Sequence, residues 1–90
     1  MRVDKDGFTL TDHEYKNKSF SLSISELNQA FYERGVNNMI INTSNGTKYK
    51  FDFAPLRDHE RNDPDRYNIQ TGGFDRIMTA IRLLLKSVSS

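Results

Sequence analysis

The stretch from Gly73 to Val88 constrains the fold of this 90-residue chain more than any other part of the sequence. Its apolar residues recur every three or four positions, which is the spacing of one face of an α-helix. These residues are Phe74, Ile77, Met78, Ile81, Leu84, Leu85 and Val88. No other stretch is as apolar or as periodic, so we predict a C-terminal helix that supplies much of the core.

Length and composition favour a single small cytoplasmic domain, residues 1–90. A domain of this size buries only about 60–65% of its unfolded surface, so its core is thin. The sequence has no cysteine, which excludes disulfides and thiolate metal sites and favours a reducing compartment. Residues 1–7 lack the apolar region of a signal peptide, and no apolar run is longer than the three leucines at 83–85. We therefore expect no membrane segment.

The N-terminal region predicts two short strands. Residues 8–11 and 19–23 alternate apolar and polar side chains, which is typical of half-buried strands. A polar connection separates them, so we expect an antiparallel pair with a loose turn. Residues 1–6 are charged and are expected to be frayed.

A helix is predicted over residues 24–34. Ser23 and Glu26 have the spacing of a capping box, in which each side chain accepts a hydrogen bond from the other residue's backbone. Gly35 suits the left-handed position that often follows the end of a helix. Phe31 is expected to lie on the buried face of this helix.

Residues 38–53 are predicted to form a β-hairpin around Gly46. Two registers compete. A two-residue turn pairs Ile41 with Lys50 and mixes apolar and charged side chains on one face. A three-residue loop with Gly46 in the left-handed conformation pairs Ile41 with Tyr49 and places the apolar residues together. Because a slip of one residue exchanges the faces, burial favours the three-residue loop.

The remaining segment completes an α+β fold with the order ββαββ(β)α. Residues 57–66 contain no apolar side chain, so we predict a mobile polar loop over 54–66. Residues 67–70 are a candidate fifth strand. We expect a small antiparallel sheet of four to five strands packed against two helices. The predicted core comprises Phe20, Leu22, Leu27, Phe31, Met39, Ile41, Tyr49, Phe51, Phe53, Ile77, Met78, Ile81, Leu84 and Leu85, with Phe8 and Leu10 as weaker members.

Two histidines are the only candidates for catalysis or metal binding. The tripeptide Asp-His-Glu occurs at residues 12–14 and 58–60, and His13 or His59 with its carboxylate neighbours could serve a hydrolase or a metal enzyme. The spacing matches no ligand pattern, and the polar loop around His59 is a poor place for the pocket that a catalytic group needs. Two exposed histidines in polar loops are the favoured explanation, so we assign no catalytic residue, cofactor or metal site.

Nucleic-acid binding is the second functional hypothesis. Its candidate contacts are Lys48, Lys50, Arg76, Arg82 and Lys86. The sequence Lys-Tyr-Lys-Phe at 48–51 mixes basic and aromatic residues, as in sheets that stack bases. Strand alternation nevertheless places these aromatics and lysines on opposite faces. A net charge of +1, from 13 basic and 12 acidic residues, also gives no basic stripe.

Protein binding is the leading hypothesis: a small accessory or regulatory protein without enzymatic activity. At about 100° per residue, Leu83 points away from the apolar stripe of the last helix. A homodimer through this back face would compensate for a thin core. The polar loop offers charges for a second contact. The candidate interaction residues are Arg76, Ala80, Leu83 and Lys86 on the helix and Arg57, Asp58, Glu60 and Arg61 in the loop.

Overall fold

The computed structural model describes residues 2–4, 6–70 and 73–89, without the side chains of residues 4, 88 and 89. These residues form seven strands and two helices. The strands are β1 (Arg2–Asp4), β2 (Gly7–Thr11), β3 (Ser19–Ser23), β4 (Phe31–Arg34), β5 (Asn38–Asn42), β6 (Lys48–Asp52) and β7 (Arg66–Asn68). The helices are α1 (Ile24–Gln29) and α2 (Gly73–Ser89).

The strands form two sheets, so the α+β class is confirmed while the number and grouping of strands differ from the prediction. The N-terminal sheet has the order β1-β2-β3, and the C-terminal sheet has the order β4-β5-β6-β7. All pairings are antiparallel except that of β6 with β7, which is parallel. A parallel neighbour requires a crossover connection, and residues 53–65 provide it. Residues 2–4, expected to be frayed, pair with β2 as strand β1; residues 1 and 5 lie outside the described part.

Helix α1 begins as predicted but ends earlier. The Ser23 amide donates to Glu26 Oε1 at 3.2 Å and the Glu26 amide donates to Ser23 Oγ at 3.3 Å, which completes the capping box. Ala30 is already extended, with φ −82° and ψ 154°. The prediction of a helix up to residue 34 is therefore wrong. The phenylalanine and tyrosine that follow favour strands, and their pairing with β5 overrides a weak helix preference.

Residues 31–34, which were predicted to be helical, instead form strand β4, and this strand carries an exposed aromatic residue. Gly35 does not cap a helix; it lies in the turn between β4 and β5, where its amide donates to Asn38 O at 2.9 Å. Phe31, predicted to belong to the core, is 76% exposed.

The β5–β6 hairpin confirms the three-residue loop. Ile41 pairs with Tyr49 and Met39 with Phe51. Gly46 has φ +89°, the left-handed conformation that the loop needs and that glycine adopts without strain.

The core joins the two sheets and both helices in one cluster. Phe20 of β3 packs against Phe51 and Tyr67 of the C-terminal sheet, with ring centroids 5.0 and 6.0 Å apart. Apart from Phe31, the predicted core residues are buried or partly buried. Helix α2 contributes its predicted stripe from Phe74 to Leu85, and the side chain of Val88 lies outside the described part. Leu56, Tyr67 and Ile69 are buried although the prediction did not include them.

Candidate functional site

The register of the C-terminal sheet places alternate residues on two faces. One face carries Met39, Ile41 and Phe51, which belong to the core cluster together with the stripe of α2. We call the opposite side the outer face. Its residues are Phe31, Glu33, Asn38, Ile40, Asn42, Lys48, Lys50, Asp52, Arg66 and Asn68. Apart from Asn38, which lies beside the β4–β5 turn, these residues fall into two halves that differ in how far they are covered.

The first half, which we call the covered half, consists of Asp52, Arg66 and Asn68. Arg66 binds Asp52 through two hydrogen bonds, Nε to Oδ2 at 2.7 Å and Nη2 to Oδ1 at 3.0 Å. Arg66 also pairs with Glu60, which lies in the crossover segment. The Arg57 amide donates to Glu60 Oε1 at 2.8 Å. The polar segment is therefore tied to the sheet by a charged network.

This network explains two pKa shifts. The hydrogen bond with Asp52 raises the pKa of the Arg66 guanidinium above its ordinary value. The backbone hydrogen bond from Arg57, helped by the positive charge of Arg66, lowers the pKa of the Glu60 carboxyl. Both groups are thus held in their charged forms in the folded protein.

The buried Asp12 carboxylate holds the edge of β7. It accepts hydrogen bonds from the amides of Glu14 at 2.8 Å, Tyr15 at 2.7 Å and Asn68 at 2.8 Å. The His13 amide in turn donates to Asn68 O at 2.6 Å. The turn after β2 therefore occupies the backbone amide and carbonyl of Asn68, the last residue of β7. The side chain of Asn68 is also buried, and its Nδ2 and Oδ1 atoms have no hydrogen-bond partner among the described residues.

The other part of the outer face, which we call the open half, consists of Phe31, Glu33, Ile40, Asn42, Lys48 and Lys50. Phe31 pairs with Asn42, which pairs with Lys48, so the three side chains lie in one row across the sheet. With strands about 4.8 Å apart, the row spans roughly 10 Å. Tyr49 and Phe51 lie on the other face of the sheet from the two lysines, as predicted. Strand β4, however, places Phe31 on the same face as the lysines. The strand preference of Phe31 and Tyr32 was the sequence signal for this arrangement.

Strand β4 forms one edge of the C-terminal sheet, and only Tyr32 among its residues is not exposed. The Tyr32 hydroxyl donates to Leu27 O at 2.6 Å, and burial raises the pKa of this phenol to about 12. Arg34 Nη1 lies 3.7 Å from Asp75 Oδ1, and Arg34 Cζ lies 5.6 Å from the ring centroid of Phe74. These contacts fasten β4 to both helices from the core side, while its outer side stays open.

The predicted interaction residues belong to two elements, α2 and the polar loop. On α2, Leu83 is 63% exposed, Arg76 and Lys86 are exposed and Ala80 packs partly against the core. In the polar loop, Glu60 turns towards the sheet. The remaining loop residues are exposed, and Arg61 lies 3.1 Å from Glu14 and 3.6 Å from Asp58.

The candidate nucleic-acid contacts are also divided between two sides of the molecule. Lys48 and Lys50 lie on the outer face of the C-terminal sheet. Arg76, Arg82 and Lys86 belong to α2, which packs on the core side of that sheet. The structure does not gather the five residues into a basic surface.

The two histidines do not line the same cleft. His13 lines a cleft of about 530 Å³ with Glu14, Tyr15, Pro55, Arg61 and Gln70. His59 is exposed and is not among the residues that line it. Within the described ranges, no three His, Cys, Asp or Glu side chains are grouped so that they could hold a metal ion.

Comparison with known proteins identifies no relative: the chain matches no family model, no curated protein and no solved structure. Neither helix in the described part of the chain has the length and apolar character needed to span a membrane.

Proposed function

We propose that this chain is a small cytoplasmic accessory protein that binds a protein partner through the open half of the outer face. The observation that carries the proposal is Phe31, a large aromatic side chain that is 76% exposed on a sheet surface. Aromatic residues are enriched at the centres of protein interfaces. The absence of cysteine supports a reducing compartment.

The surroundings of Phe31 suit a binding surface. Ile40 is half-buried on the same face and adds apolar area next to the strand that carries Phe31. Lys48, Lys50 and Glu33 provide a polar rim with charges of both signs. Burial of one phenylalanine by a partner is worth roughly 1.5–3 kcal/mol, enough to make Phe31 a dominant contact. A binding role without catalysis is the one that these residue types support.

Site-specific photo-cross-linking tests this proposal. A photoreactive amino acid replaces Phe31 in one variant and Leu83 in a matched variant, and both are expressed in the native host. We expect position 31 to capture a partner protein that position 83 does not capture. Mass spectrometry identifies the captured protein.

Purified components then measure the contribution of Phe31. Phe31→Ser should weaken binding of the captured partner at least tenfold while the protein stays folded, because the aromatic anchor is lost. Leu83→Ser is the control and should bind as the wild type does. Equal binding by both variants, or capture at position 83 alone, would refute the proposed site.

Single-stranded nucleic acid is the second candidate partner, because Phe31 lies on the same face as Lys48 and Lys50. An exposed aromatic ring beside cationic side chains is the arrangement on which bases stack while phosphates are neutralised. Fluorescence titration with single-stranded oligonucleotides at about 50 and 200 mM salt tests this candidate. Binding that weakens with salt and with Lys48→Gln supports it, whereas the absence of salt-sensitive binding excludes it.

A further inference from the structure

We infer that the open edge of β4 pairs with β4 of a second copy of the chain, so that two C-terminal sheets join into one antiparallel sheet. We rest this inference on the proposed function, since it names a second copy as the protein partner at the same end of the sheet. It differs from the dimer predicted from sequence, which used the back of α2.

The two edges of the C-terminal sheet differ in availability. The edge of β7 is occupied by the turn that contains Asp12 and His13. In the described part of the chain, no hydrogen bond from a turn, loop or side chain reaches the backbone of Tyr32 or Arg34. Unpaired backbone groups on an exposed strand are a template for another strand.

Alternation decides which backbone groups of β4 face outwards. The Gly35 amide bonds to Asn38, which makes Gly35 and Asn38 a hydrogen-bonded pair. Hydrogen-bonded and non-hydrogen-bonded pairs alternate in an antiparallel ladder, so Glu33 and Phe31 also bond to β5. The amide and carbonyl groups of Tyr32 and Arg34 therefore point to the open edge.

We place the two-fold axis perpendicular to the sheet, so that the outer faces of both copies lie on the same side. Directly opposed side chains in an antiparallel pair share a face, so the axis must pass beside one residue of β4, and this residue pairs with its own copy. Centring on Phe31 would reach back into the end of α1 and leave Arg34 unpaired. Centring on Glu33 or on Arg34 would place two like charges directly opposite each other, which is unfavourable. Centring on Tyr32 avoids both problems.

The Tyr32-centred register is self-complementary. The two copies of Tyr32 exchange a pair of backbone hydrogen bonds. Phe31 of each copy lies opposite Glu33 of the other in a non-hydrogen-bonded pair. The two copies of Phe31 are then diagonal neighbours about 7–8 Å apart, within reach for aromatic side chains. In the dimer, the Phe31 side chain of each copy can thus pack against the Phe31 side chain of the other. Because β4 has only four residues, the association should be reversible and concentration-dependent.

Cysteine cross-linking tests this register cleanly, because the wild-type chain has no cysteine. Directly opposed residues in a non-hydrogen-bonded pair have Cα atoms about 4.5 Å apart, which a disulfide can bridge. We expect a mixture of Phe31→Cys and Glu33→Cys proteins to form the mixed disulfide several-fold faster than either protein cross-links with itself. Leu83→Cys, a variant at an exposed apolar residue of α2, is the control and should not cross-link selectively.

The possible outcomes separate this inference from the proposed function. Selective 31-to-33 cross-linking, with a dimer seen by sedimentation of the wild type at high concentration, supports the β4 pairing. A monomer without this cross-link overturns it, and so does faster cross-linking through Leu83→Cys. If the cross-link fails while a different protein is captured at position 31 in the host, the proposed function stands and only the β4 pairing is wrong. If both fail, both are wrong.

Discussion

The two halves of the outer face belong to one sheet, yet the crossover segment covers only one of them. The covered half contains a bidentate Arg66–Asp52 pair, joined by Glu60 from the segment that crosses from β6 to β7. The open half carries Phe31 with no such cover. We therefore expect one end of this sheet face to serve stability, and we propose that the other end serves recognition. Substitutions in the first half should change the free energy of unfolding, and substitutions in the second should change binding.

The largest expected effect is that of Asp12→Ala, which removes the acceptor of three backbone hydrogen bonds. The buried backbone N–H of Asn68 would be left without an acceptor, and we expect a loss of about 3 kcal/mol in the free energy of unfolding. Chemical denaturation measures it. Asp58→Ala is the control, because Asp58 is exposed in the polar loop and should change stability by less than about 0.5 kcal/mol. Similar losses in both variants would contradict the anchoring role of Asp12.

Arg66→Leu should destabilise the protein by about 2 kcal/mol, because it leaves the carboxylates of Asp52 and Glu60 close together without their shared cation. Thermal unfolding at neutral pH measures this loss. Arg82→Leu is a matched control on the exposed side of α2. A loss in the Arg66 variant no greater than in the control would show that the network does not stabilise the covered half.

The same network predicts a pH dependence. The pKa of Glu60 is below its ordinary value of 4.5 in the folded protein, so its contribution to stability is present above pH 4.5. This contribution is lost as the pH falls through the lowered pKa. Glu60→Gln should therefore be less stable than the wild type at pH 7, and the difference should shrink as the pH falls through the lowered pKa. A difference that does not change with pH would refute the charged contact.

Asn68→Leu should leave the free energy of unfolding unchanged or raise it by up to about 1 kcal/mol. Both polar atoms of the buried Asn68 side chain lack a hydrogen-bond partner among the described residues, so an apolar side chain of similar size avoids a desolvation cost. Denaturant unfolding compares the variant with the wild type. A clear loss of stability would show that the amide makes a contact that the fold requires.

The smallest effect on stability is expected in the open half. Phe31→Ser should change the free energy of unfolding by no more than about 0.5 kcal/mol, because the side chain is mostly exposed. Calorimetry measures this, with Phe51→Ser as the core counterpart that should destabilise strongly. A large loss in Phe31→Ser would mean that the aromatic residue belongs to the fold and not to a binding surface.

Local patterns predicted those parts of the fold that depend on local geometry. The stripe of α2, the capping box at Ser23 and the register set by Gly46 each follow from the period of side chains or the conformation of one residue. Residues 31–34 could not be assigned in this way, since their structure depends on pairing with β5. The parallel strand β7 was only a candidate for the same reason. The candidate site depends on both segments, because β4 carries Phe31 and β7 carries Arg66.

The hydrogen bond from the Asn68 amide to the Asp12 carboxylate joins residues that are 56 positions apart. During synthesis, the N-terminal sheet emerges from the ribosome long before β7 does. The Asp12 carboxylate, which accepts hydrogen bonds in the turn at residues 12–15, stays hydrated until the Asn68 backbone N–H has been synthesised. Completion of this polar anchor is therefore a late event in biosynthesis, and a nascent chain that stalls before residue 68 would lack both a complete β7 and the anchor.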